Sequence, residues 1–154
     1  MTFPTVSGSN LLRQKKNLPR DFQGKLNLVF IPFQRWHQAE VDSWSALAEE
    51  LEEKFEGLVY YELPTLQSGG PLYKIFLNEG MRAGIPNPKR RERTITLYLD
   101  KADFRAALEM PDEDHIYILV IDQQGKEFFR ARGPHSQAAE NALRQALLQL
   151  IKEE

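Results

Sequence analysis

The sequence contains no cysteine among its 154 residues. Disulfides, thiol redox chemistry and cysteine-ligated metals are therefore excluded within the chain, because each needs a thiol or thiolate. No apolar run approaches the roughly 20 residues that carry a helix across a bilayer, so no membrane span is expected. Met1 to Gly8 lack both a basic segment and an apolar stretch, and no secretory signal is read there. A surplus of either charge is missing too, since 20 Lys and Arg face 22 Asp and Glu. Nucleic-acid binding through a broad surface needs a basic excess, so nucleic acid is not the expected partner. The three histidines show no H-E-x-x-H or paired spacing, and Gly69-Gly70-Pro71 lacks the Lys-Ser/Thr of a phosphate loop. Neither a metal nor a cofactor is expected. Together these absences describe a cytoplasmic protein.

What is present suits one domain. Hydrophobic residues make up 42% and charged residues 27%, and a chain of this length buries roughly 70% of its unfolded surface. Residues 1–24 read as a polar arm whose Leu11, Leu12 and Leu18 touch the domain edge, and residues 25–154 as the domain. Leu26 to Phe33 is continuously apolar, the mark of a buried central strand. The spacing of Val41, Trp44, Leu47, Ala48, Leu51 and Phe55 predicts one amphipathic helix after it, ended by Gly57, with Glu49, Glu50, Glu52 and Glu53 in solvent. Leu58 to Leu63 is a second strand, stopped by Pro64. A short helix is expected over Tyr73 to Met81, broken by Gly84 to Pro88.

Arg93 to Leu99 alternates and reads as a strand near a sheet edge, which could support a homodimer, although Arg93 and the threonines are also the residues by which edges avoid pairing. Asp100 is set to cap a brief helix through Leu108. His115 to Asp122 is the second buried strand. Gln123-Gln124-Gly125 turns it into an antiparallel partner, Lys126 to Arg132. Ser136 is the expected N-cap of a last helix with Ala139, Ala142, Leu143, Ala146, Leu147 and Leu150 facing inward. Strand, helix, strand, two short helices around a strand, hairpin and helix predict a three-layer α/β/α sandwich around a mixed sheet of about five strands.

Leu18 to Lys25 with Leu28 to Phe33 resembles the lead and first core strand of thioredoxin-like domains of the peroxiredoxin type. Ile118 to Lys126 is similar to their closing hairpin. Gly80-Met81-Arg82-Ala83-Gly84-Ile85-Pro86, followed by Thr94 to Asp100, resembles the mitochondrial ATP synthase assembly chaperones, a family with this fold but without the redox cysteine pair. Where thioredoxins carry their cysteines this chain has Arg35-Trp36-His37-Gln38, and where they carry a cis-proline it has Ile116. The resemblance implies a non-redox binding, chaperone or assembly protein with a protein partner.

Candidate binding residues are Arg35, Trp36 and His37, with Tyr73, Arg90 and Arg91 expected nearby. The turn at 34–38 has two readings. A helix N-terminus with Arg35 as a bidentate clamp would hold a small anion, and His37 would serve as a general acid or base in a cysteine-independent enzyme. Alternatively it is a surface turn whose Trp36 anchors it to the core. The cluster Lys89 to Arg93 reads as a solvated basic loop, and Asp112-Glu113-Asp114 as a solvated acidic one.

Overall fold

In the computed structural model, which describes residues 2–68 and 87–152, the N-terminal stretch is not a loose arm. It forms a hairpin of β1 (Val6–Asn10) and β2 (Lys15–Leu18), with Val6 opposite Leu18. Phe3, Leu11, Leu18 and Phe22 are buried. Each such side chain contributes roughly 1.5–3 kcal/mol by leaving water. They stand eight, seven and four residues apart among mostly polar neighbours, too sparse to mark a strand, so the pattern concealed them. Gly8 is required at its place: a Cβ there would lie 2.7 Å from both the Thr96 carbonyl and the Leu97 side chain.

The remaining strands are β3 (Leu26–Ile31), β4 (Leu58–Glu62), β5 (Thr65–Gln67), β6 (Ile95–Leu99), β7 (Tyr117–Ile121) and β8 (Glu127–Arg132). A single turn of 3-10 helix, Arg35–His37, leads into α1 (Gln38–Asp42) and α2 (Ser45–Lys54). Later come α3 (Pro88–Arg93), α4 (Lys101–Ala107) and α5 (Gln137–Lys152). The helix expected over Tyr73 to Met81 lies outside the described residues.

Two four-stranded sheets replace the single sheet of about five. One has the order β4-β3-β7-β8 and the other β2-β1-β6-β5. In the first, β3 runs parallel to β4 and antiparallel to β7, as the buried-strand reading required. The second exists because the N-terminal hairpin joins β6. The chain changes sheets at Pro64: the Leu63 N–H still donates to the Phe30 carbonyl (2.8 Å), whereas the Pro64 carbonyl already accepts from Leu97 (2.8 Å).

This corrects the reading of β6 as an edge. It lies between β1 and β5, paired on both sides, and leaves no free row of N–H groups for homodimer pairing. Its threonine face is covered as well, with Thr94 and Thr96 buried.

The core sheet divides the hydrophobic residues by their alternation. Val29, Ile31, Tyr61, Leu119 and Ile121 pack toward the second sheet and α4, with Phe104 and Leu108. Leu28, Phe30, Tyr60, Ile118 and Val120 face α1, α2 and α5, with Trp44, Leu51, Leu143 and Leu147. The helix predicted as one piece is broken at Ser43 and Trp44. There the Ser43 hydroxyl bonds back to the Glu40 carbonyl (2.5 Å), and the Trp44 indole N–H reaches the Gly133 carbonyl (3.0 Å). Gly125 takes φ +88 in the β7–β8 turn, where the Asp122 carboxylate accepts from the N–H groups of Gln124 and Lys126.

Candidate functional site: the turn after β3 and the pocket beside it

The turn between β3 and α1 presents two side chains and hides the third. Arg35 and Trp36 are exposed, Trp36 at 57%, while His37 is fully buried. His37 Nδ1 accepts the N–H groups of Phe33 (2.9 Å) and Gln34 (3.3 Å). The ring must therefore be neutral with its proton on Nε2. Nε2 itself has no hydrogen-bond partner. Burial lowers the His37 pKa, opposed less strongly by Glu40 and by the nearby Glu113 main chain.

Two expectations change places here. Trp36, read as the anchor, stands in solvent with its ring edge-on to His37 at 4.3 Å. His37, read as a surface acid or base, is the post that holds the turn. It cannot meet a substrate without unfolding the turn. The sequence signal was the four-residue separation from Phe33, which lets an imidazole fold back onto the preceding backbone.

Further contacts immobilise the turn from the neighbouring loop. Glu113 accepts from the Gln34 side chain (2.7 Å), Lys101 (2.9 Å) and Arg105 (3.1 Å). Burial works to raise its pKa, but these partners outweigh that and hold it low. Lys101 also donates to the Phe33 carbonyl (3.2 Å). The acidic loop is thus a structural clasp, not a solvated run. Glu40 of α1 closes the other side, taking the Ile116 N–H (3.0 Å) and His115 Nδ1 (2.7 Å). The turn and the entry to β7 are therefore adjacent and bridged by a carboxylate.

The basic cluster is helical, not a loop. Asn87 caps α3 by accepting from the N–H groups of Lys89 and Arg90. Its cations are engaged: Lys89 with Glu49 and Glu52, Arg93 with Glu52, and Arg90 with Asp42 at 3.9 Å. Lys89 and Arg93 also lie over the Tyr60 ring. Glu52, expected in solvent, is half-buried. Burial alone would raise its pKa, but Lys89, Arg93 and the Tyr60 N–H lower it. Arg91 is half-buried and its carbonyl accepts from Leu11. Arg90 is brought to α1 beside the turn; Tyr73 lies outside the described residues.

Between α1, α2, α3 and β4 lies a cavity of about 70 Å³ lined by Phe30, Val41, Ala48, Tyr60, Glu62 and Arg90 among others. Glu62 was not singled out from the sequence, where it is one polar letter ending a strand. It is 6% exposed, its Oε2 has no partner, and burial raises its pKa to about 7 against the pull of Arg90. Glu62 pairs with Phe30 across parallel strands. The pocket therefore opens at the carboxyl ends of β3 and β4, where α/β sheets characteristically bind ligands.

The family model described as ATP10 protein matches residues 1–150. The chain belongs to the ATP10 protein family. No curated protein matches it closely enough to report. Among solved structures it is similar to the pneumococcal exposed lipoprotein thioredoxin of Streptococcus pneumoniae, with 14% identity and a TM-score of 0.59 over 95% of this chain and 99% of that one. A thioredoxin domain of a Bacteroides vulgatus thiol-disulfide oxidoreductase aligns at 16% identity and TM-score 0.53, covering 96% of each chain. A thiol:disulfide interchange protein of Chlorobium tepidum aligns at 16% and 0.55, again over 96% of each. At these identities the likeness shows the fold, which is thioredoxin-like. This ATP10 family member holds no cysteine with which to perform the neighbours' named chemistry. Among the described residues no helix is long and apolar enough to cross a membrane, and no group of three or more acidic or histidine side chains is placed to hold a metal.

Proposed function

We propose that this chain is a non-redox assembly factor for ATP synthase, which captures a protein subunit on the turn that carries Arg35 and Trp36. The observation that carries the reading is the contrast within that turn. Its backbone is fixed from below by buried His37 and from the side by Glu113, yet its largest side chain is 57% exposed. Presenting an indole on a rigid turn costs solvation without helping the fold, and immobilised Trp and Arg are the side chains that dominate protein interfaces. The ATP10 family model and the resemblance to assembly chaperones supply the client class. The cysteine-free composition, compatible with a reducing compartment, keeps the cytoplasm as the proposed place of action.

The test is co-purification with purified ATP synthase subunits, comparing the wild type with Trp36→Ala and Arg35→Ala. The expected result is loss of one subunit by Trp36→Ala with an unchanged melting temperature. Undiminished binding of every subunit by the double variant would overturn the assignment of this surface.

A further inference from the structure

The Glu62 pocket is unaccounted for by recognition at Trp36. A carboxyl side chain is held inside the fold beside a cavity, hydrogen-bonded by the Gln38 side chain but with its Oε2 left without a partner. Such a group costs free energy unless something satisfies it. Its neighbours are already committed elsewhere. The Tyr60 hydroxyl donates to Glu49, Arg93 is bound to Glu52 and the Tyr60 carbonyl, and the Thr94 hydroxyl donates to the Arg90 carbonyl. Gln38 and Arg90 favour the charged form of Glu62 and Asp42 opposes it.

The charges decide what the pocket takes. The charged residues of its lining are Glu49, Glu62, Arg90 and Arg93. Glu49 is taken up by Lys89 and the Tyr60 hydroxyl, and Arg93 by Glu52, so the charged group left with an unsatisfied atom is Glu62, and that atom is an acceptor. The walls, by contrast, are apolar: Phe30, Val41 and Ala48 with the Tyr60 ring. At roughly 10–15 Å³ per water, about 70 Å³ admits about five water-sized groups, room for a short alkyl stem. Arg90 lies at the mouth, 3.9 Å from exposed Asp42, toward which it can turn as a cation enters.

We infer that the pocket binds an alkylammonium or alkylguanidinium group, with Glu62 as its counter-ion and Phe30, Val41, Ala48 and Tyr60 around its stem. The group arrives either on a free amine or as a lysine or arginine side chain of a protein. This inference does not depend on Trp36, and its test fails or succeeds separately.

The test uses the full chain, isotope-labelled, titrated with butylammonium chloride and followed by amide chemical shifts. Saturable shifts at Ala48, Tyr60 and Glu62 are expected. Affinity should be about tenfold weaker at pH 6 than at pH 8, because protonation of Glu62 removes the counter-ion. Glu62→Gln should abolish the shifts. Ala48→Leu, which narrows the cavity and leaves the carboxylate, should abolish them too. Should that second variant fail to fold, the Glu62→Gln result still decides. A doubly blocked lysine that shifts the same amides marks a protein side chain as the ligand; binding of the free amine alone marks a small molecule. Equal binding of 1-butanol, stronger binding of butyrate, or butylammonium binding unaffected by Glu62→Gln would each overturn the inference.

Discussion

Replacing Glu62 with glutamine should stabilise the protein, and only at higher pH. The side chain keeps its shape, so the difference isolates the charge. Burial raises the carboxyl from its ordinary value of 4.5 to about 7. A group whose acid form is favoured by folding binds its proton more tightly in the native state than in the unfolded one. Stability therefore falls as pH rises from 4.5 to 7, and stays reduced above that. At 1.36 kcal/mol per pKa unit this amounts to about 3 kcal/mol. Against a total of about 5–15 kcal/mol for a domain, that is a large fraction. Urea unfolding of the wild type and Glu62→Gln at pH 4.5 and pH 8 measures it. The variant's advantage should be about 3 kcal/mol greater at pH 8. Other titrating groups occur in both proteins and cancel. Parallel stability profiles for the two proteins would refute the reasoning, since they would mean that Glu62 ionises as freely folded as unfolded.

His37 carries the opposite dependence. Its pKa is lowered by burial, so its contribution is present above the unfolded value of about 6.5 and lost as pH falls from there through the lowered folded value. His37→Ala should unfold more easily by about 2–4 kcal/mol at pH 8, leaving the Phe33 and Gln34 N–H groups unsatisfied, and its stability curve should lose the acid-side slope; an unchanged slope would deny His37 its place under the turn. In the hairpin, Leu18→Ala should cost about 2–5 kcal/mol and Leu12→Ala within about 0.5 kcal/mol, because Leu18 is fully buried and Leu12 is 42% exposed. Equal, small losses in denaturant unfolding would restore the loose arm.

Periodicity was informative wherever a segment buried one continuous face. Val41, Trp44, Leu47, Ala48, Leu51 and Phe55 are all buried, although the helix they predicted is interrupted. Asp100 caps its helix through the Asp103 N–H, and Ser136 caps the last through Ala139. These are local events, set by residues within a turn of one another. The second sheet was not legible, because β1 and β2 are polar and the hairpin they form becomes part of a sheet only where β1 meets the distant strand β6. The same distance in sequence hid the central place of β6 and the salt bridges that take up the cations of α3.

The candidate site divides along the same line. That a strand delivers a cysteine-free Arg-Trp-His turn to a helix could be read from residues 26–55 alone, since strand, turn and helix are contiguous. Which of the three side chains faces water could not, because it depends on Phe33 and Gln34 amides that an imidazole can reach only in the folded turn. Nor could the sequence distinguish Glu62 from any other glutamate. Its burial is imposed by α1, α2 and α3 meeting over the end of β4. Composition and local pattern thus determined the strands of the core sheet, the caps and the absence of thiol chemistry. Long-range packing alone decided burial and pairing, and with them which polar groups are left unsatisfied.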